Sequence, residues 1–205
     1  MSFQSVHDLL TPPAVIRKTK FWDWFDGDSL KSWWTLTHKA GSGSGAMNDA
    51  VDGGYRITTG STSSDNSIID FNSINHYASN ASMFIGVFAP VESTSRLTHV
   101  GMDDSNSFGE YSFIENDTSD TFIGLKTRDG VTTTQIDSTV AIDEVYHNHR
   151  IVLGSASHNL FMDGTLEVAK TTNLPTADLQ PAFRIFTRTS ASRSIDCLRC
   201  EVYNT

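Results

Sequence analysis

Two Asp-Gly steps, Asp129-Gly130 and Asp163-Gly164, each sit between runs rich in β-branched and aromatic residues. Asp-Gly supplies the positive φ angles that a two-residue hairpin turn requires. Segment 121–127 therefore reads as the partner of 131–136, and 159–162 as the partner of 165–169. The same alternation of short apolar runs and turn residues recurs at 55–59, 67–71, 82–88, 96–102, 110–114, 145–153, 182–187 and 194–203. Turns every ~8–12 residues predict an all-β sandwich or barrel. No internal repeat and no long amphipathic helical window interrupts the pattern. A length of 205 residues suits one such domain.

The N-terminal fifth carries two further expected strands. Residues 21–25 form an aromatic run, Asp26-Gly27-Asp28 turns the chain, and 32–37 follows. The stretch Gly41-Ser42-Gly43-Ser44-Gly45 reads as a loop inside the domain. Residues 1–20 differ from the rest. Ser5 is placed to cap a helical turn over 6–10, and Pro12 and Pro13 stop it. The organisation expected is an arm at 1–20 and a β-sandwich at 21–205. Exposed Leu9, Leu10, Val15 and Ile16 would give the arm an apolar docking face for a partner.

A net charge of −9 argues against nucleic acid, because phosphate binding needs a basic face. No stretch approaches the ~20 apolar residues that span a bilayer, so no membrane role is expected. Met1-Ser2-Phe3-Gln4 lacks the basic and apolar regions of a signal peptide, which predicts a chain made and kept in a cytosol until assembly. The only cysteines, Cys197 and Cys200, form a C-x-x-C. They lie in a strand-like stretch, where residues three apart face opposite ways, and no second Cys/His pair completes a zinc set. They are read as structural.

A strand with His147, Arg150 and Ile151, a hairpin through Phe161, Asp163 and Gly164, and an exit through Thr171, Asn173, Leu174 and Pro175 carry a resemblance. This set, with 179–185 and 193–202 as closing strands, resembles the late strands of concanavalin A-like lectin/glucanase domains. Residues 21–25, Trp34 and Gly53-Gly54-Tyr55-Arg56-Ile57 resemble structural proteins of tailed phages built on that fold. The resemblance implies an antiparallel jelly-roll β-sandwich. It further implies a non-enzymatic virion structural protein: a capsid decoration or fibre component, docked by its arm on capsid or neighbouring virion proteins. A symmetric homo-oligomer such as a trimer would add avidity. The alternative is a carbohydrate-binding, lectin-like module; a glycoside hydrolase ranks below both.

Retaining glycosidases similar to this fold place two carboxylates on one strand as E-x-D-x-x-E, because i and i+2 share a face. Glu115-Asn116-Asp117-Thr118-Ser119-Asp120 comes near, but ends in Asp and is filled with turn-forming residues. It is expected to be a solvated hairpin loop, leaving no catalytic residue. No G-x-S-x-G elbow marks a nucleophilic serine. His147 and His149 share a strand face beside Asp143 and Glu144, yet lack a full ligand set. The oxygen-rich stretch 103–110 and the pair Asp26 and Asp28 offer calcium-type ligands, but turns favour the same residues and explain them better, so no cofactor is assigned and calcium stays a minor alternative. Trp22, Trp24, Trp33 and Trp34 suit sugar stacking, but strand alternation would let at most half of them share a surface.

Overall fold

The computed structural model describes residues 20–48, 54–71, 77–104 and 108–205. Leu9, Leu10, Val15 and Ile16, and the helical turn expected at 6–10, lie outside the described residues. Within them the regular elements are strands. These are β1 (Lys20–Asp23), β2 (Thr35–Ala40), β3 (Ser44–Met47), β4 (Tyr55–Thr58), β5 (Asn66–Asp70), β6 (Ala81–Pro90), β7 (Arg96–Asp103) and β8 (Glu110–Asp117). They continue with β9 (Phe122–Asp129), β10 (Thr133–Ala141), β11 (His147–Gly154), β12 (His158–Met162), β13 (Thr165–Lys170), β14 (Gln180–Thr187) and β15 (Ser194–Asn204).

The strands form two antiparallel sheets. One has seven strands in the order β10-β9-β8-β7-β14-β5-β2, the other eight in the order β13-β12-β11-β6-β15-β4-β3, with β1 also on β15. Both Asp-Gly steps make the expected hairpins, β9–β10 and β12–β13, and Asp163, Gly164 and Gly130 adopt positive φ. The core lies between the sheets. Phe84, Phe88, Ile151, Leu160 and Val202 meet Val100, Ile114, Leu125, Phe183 and Ile185 there, all buried. Each such side chain contributes about 1.5–3 kcal/mol by leaving water. The antiparallel sandwich expected from the period of two is the fold observed.

Two local expectations change. The Gly-Ser stretch is not all loop, because β3 begins inside it and pairs with β4, Ser44 opposite Thr58. Gly45 makes that possible, since a Cβ there would lie 2.2 Å from the Tyr55 hydroxyl. Cys197 and Cys200 do not face opposite ways. A register shift between Cys197 and Arg199 adds a residue to β15, which turns both thiols into the core. Both are free and buried, and burial raises both thiol pKa values.

Candidate functional site

β8 carries a carboxylate cluster on one face and anchorage on the other. Ser112, Ile114 and Asn116 alternate toward the inter-sheet core. Tyr111, Phe113, Glu115 and Asp117 alternate to the outer face of the seven-stranded sheet, where Tyr111 and Phe113 pack with Ala182 and Phe108. The inner residues tie β8 down. His158 of β12 bridges the Ser112 hydroxyl at 3.1 Å and the Ser79 carbonyl at 2.9 Å. The buried Arg96 guanidinium donates to Asn116 Oδ1 at 2.6 Å and to the Asp143 carbonyl at 3.0 Å. Burial brings its pKa down to about 10.

On the outer face, Glu115, Asp117 and Asp120 converge. One carboxylate oxygen from each lies within 4.8 Å of the other two. Glu115 is 3% exposed. His99, its direct partner across β7–β8, and Lys126 Nζ at 2.5 Å both contact Oε2. Among the described residues Oε1 accepts no hydrogen bond. Burial pushes the Glu115 carboxyl up, but its contacts with His99 and Lys126 outweigh that and hold it below its ordinary value. Burial lowers the His99 pKa, while its contact with Glu115 raises it; facing an ionised carboxylate, its Nε2 carries the hydrogen and donates. The ring stacks on Phe113 with centroids 5.4 Å apart.

Asp117 is fully engaged. Arg188 grips both its oxygens, through Nε at 2.9 Å and through Nη2. Its Oδ1 also accepts from Ser119 N at 3.0 Å, closing the turn that delivers Asp120. Asp120 is exposed and is held by Gln135 Nε2 at 3.2 Å. Gln135 has its place because residue 124 is glycine; a Cβ there would come within 2.8 Å of that same nitrogen. The turn-forming residues are therefore real, but they occupy only 118–120; Glu115 and Asp117 lie on a buried strand. Sequence reasoning found the acidic motif and missed His99, Lys126 and Arg188, which only strand register brings to it.

A second feature lies where β1 enters the sheet. A cleft of about 650 Å³ is lined by Phe21, Trp22, Trp24, Lys31 and Trp33, with Asp23 at its base. The buried Asp23 carboxylate accepts from Trp34 Nε1 at 2.8 Å, Trp33 Nε1 at 3.2 Å, Lys31 Nζ at 2.6 Å and Phe25 N at 2.9 Å. Trp34 is core; Trp22, Trp24 and Trp33 are 57%, 53% and 47% exposed. Three tryptophans thus share one cleft, more than strand alternation allows. Trp24 and Trp33 lie just outside β1 and β2, so the period of two does not govern them.

The other candidates are committed elsewhere. Asp103 is buried in an ion pair with Arg184. Glu110 accepts from Ala177 N at 2.9 Å and from Thr176. Asp26 pairs with Lys31 at 2.7 Å. His147 lies between Asp163 at 2.6 Å and Asp143 at 3.1 Å. His149 is buried and stacked on Phe88 at 4.2 Å, and among the described residues its ring nitrogens have no partner at hydrogen-bond geometry.

No protein-family model and no curated protein matches the sequence. Solved structures do match. The Bacillus licheniformis β-glucanase aligns over 91% of this chain and 98% of its own, with TM-score 0.66 and 12% identity. The Crh5 transglycosylase aligns over 91% and 84%, with TM-score 0.66 and 14% identity. The Emp47p carbohydrate recognition domain aligns over 90% and 94%, with TM-score 0.62 and 10% identity. The fold is the concanavalin A-like jelly roll, as the resemblance implied. The expectation of a chain without enzymatic activity is corrected. It rested on reading 115–120 as a solvated loop, whereas β8 carries and buries Glu115 and Asp117, and structures with this fold include a glucanase and a transglycosylase. The virion setting and capsid partners find no support in these likenesses.

Proposed function

We propose that the outer face of the seven-stranded sheet binds a polysaccharide chain, and that Glu115 and Asp120 act on its glycosidic bond with retention of configuration. The observation that carries this is the convergence of Glu115, Asp117 and Asp120 within 4.8 Å, close to the ~5–5.5 Å separation of carboxyl groups in retaining enzymes. Glu115, kept ionised beside Lys126, supplies the nucleophile: Oε1 attacks the anomeric carbon as its bond to the leaving oxygen breaks. Asp120, on the exposed turn, gives its proton to that oxygen. It then takes a proton from water, or from the hydroxyl of a second sugar, as that oxygen displaces Glu115 and restores both carboxyl groups. Water yields hydrolysis and a sugar hydroxyl yields transglycosylation. Asp117, held by Arg188, fixes the turn between the two.

The test is release of reducing ends from a mixed-linkage β-1,3-1,4-glucan by the wild-type chain, Glu115→Gln and Asp120→Asn. Loss of activity in Glu115→Gln and a fall of about 10²–10⁴-fold in Asp120→Asn are expected. Wild-type rates in Glu115→Gln would overturn the assignment. Saturable glucan binding with no turnover by the wild-type chain would leave the recognition face standing and remove the chemistry.

A further inference from the structure

The tryptophan cleft is separate from the carboxylate site. It is built from β1, the turn after it and the approach to β2, and none of its residues takes part in the chemistry proposed above. The geometry points to a second glycan-binding site there, one that holds a neutral β-linked chain by stacking sugar rings on Trp22, Trp24 and Trp33.

Three observations converge on that ligand class. First, the aromatic faces are pre-set. Asp23 holds the Trp33 indole N–H, and Phe21 meets the Trp33 ring edge-on with centroids 6.0 Å apart. Cations flank all three rings: Lys20 at 5.8 Å from Trp22, Arg199 at 4.7 Å from Trp24 and Lys31 at 5.8 Å from Trp33. Yet about half of each side chain stays open. Ordering these rings therefore costs a ligand little.

Second, the charges in the cleft are already matched. Lys31 is shared between Asp23 and Asp26, and Lys20 pairs with Glu201 at 3.7 Å. Burial pulls Lys31 down, but hydrogen bonds to the two aspartates outweigh it and raise its pKa, while the Lys31 hydrogen bond lowers that of Asp26. The lining therefore offers hydrogen bonds without a net field, which suits a neutral polyhydroxyl ligand over a phosphate or a charged peptide. Third, the volume of about 650 Å³ falls in the ~300–1,000 Å³ range of small-ligand sites. In a β-linked glucose chain the hydroxyls are equatorial, so each ring presents apolar C–H faces to an indole and hydroxyls to the rim.

The glycan class is shared with the reading above, but the residues are not, so the two fail separately. The test is titration of the full-length Glu115→Gln protein with cellohexaose, followed by quenching of tryptophan fluorescence, in parallel with Trp24→Ala, Trp24→Tyr and Trp33→Ala made in the same background. Saturable quenching is expected. It should weaken about tenfold in each alanine variant, the scale of truncating an aromatic contact residue, and Trp24→Tyr should recover most of it. Turnover of a short chromogenic glucoside by Trp24→Ala in the otherwise wild-type chain should be unchanged. Equal affinity in the alanine variants would overturn the site. So would quenching by a synthetic peptide of residues 2–20 but not by cellohexaose, which would make the occupant the arm of a second copy.

Discussion

Arg96 and Asn116 are bonded at 2.6 Å on the core side of the strand whose outer side carries Glu115 and Asp117. The contact makes the carboxylate site dependent on a residue that never reaches it. Asn116 sits between the two acids, so its side chain sets the pleat on which both stand. Arg96→Met would keep the buried volume and remove the donors, leaving Asn116 Oδ1 and the Asp143 carbonyl without a partner. The expected loss is about 2 kcal/mol or more, a fall of roughly 4–8 °C in Tm, together with reduced turnover. Thermal unfolding by circular dichroism checks it, and an unchanged Tm would show that β8 does not depend on the Arg96–Asn116 contact.

Lys126, after His99, helps to hold Glu115 ionised. Burial raises the Glu115 carboxyl, while contacts with His99 and then Lys126 lower it. Removing the ammonium in Lys126→Met deletes a lowering influence, so the carboxyl must rise. A nucleophile has to be ionised, so the acid limb of kcat/KM against pH should move to higher pH, with the basic limb fixed. An acid limb that stays in place would separate Lys126 from the chemistry.

Buried histidines predict acid sensitivity. Burial lowers the His149 pKa to about 3 and the His158 pKa to about 4, against ~6.5 in the unfolded chain. Between those values the unfolded state binds more protons than the folded state, so stability rises with pH there and is lost as pH falls from about 6.5. The midpoint of urea unfolding should be lower at pH 5 than at pH 7. Among the described residues the His149 ring nitrogens have no partner at hydrogen-bond geometry, so His149→Phe should narrow that gap. A gap as wide in the variant as in the wild type would place the effect on other groups.

How far the sequence carries depends on the range of the interaction. The sandwich is legible because alternation and Asp-Gly turns are local, and both hairpins stand where 129–130 and 163–164 put them. β3 was hidden, because Gly43 and Gly45 look like loop residues until Tyr55 is seen to need the space beside one of them. The acidic motif was visible and misread. Thr118, Ser119 and Asp120 do turn, but extending the turn back over Glu115, Asn116 and Asp117 carries it three residues too far into β8. His99 lies 16 residues from Glu115, Lys126 lies 11, and Arg188 lies 71 from Asp117. No spacing rule links them; the register of four strands does. The tryptophans were misjudged for a similar reason, since the alternation rule was applied past the ends of β1 and β2.

A nucleophilic Glu115 would pass through a glycosyl ester that can be trapped. Incubating the protein with a 2-deoxy-2-fluoro cellobiosyl fluoride, whose glycosyl–enzyme ester turns over slowly, and weighing the intact chain tests it most directly. The expected result is a mass gain of one fluorocellobiosyl group per chain, mapped by peptide sequencing to Glu115 and absent from Glu115→Gln. An unmodified mass, or a label on any other residue, would contradict it.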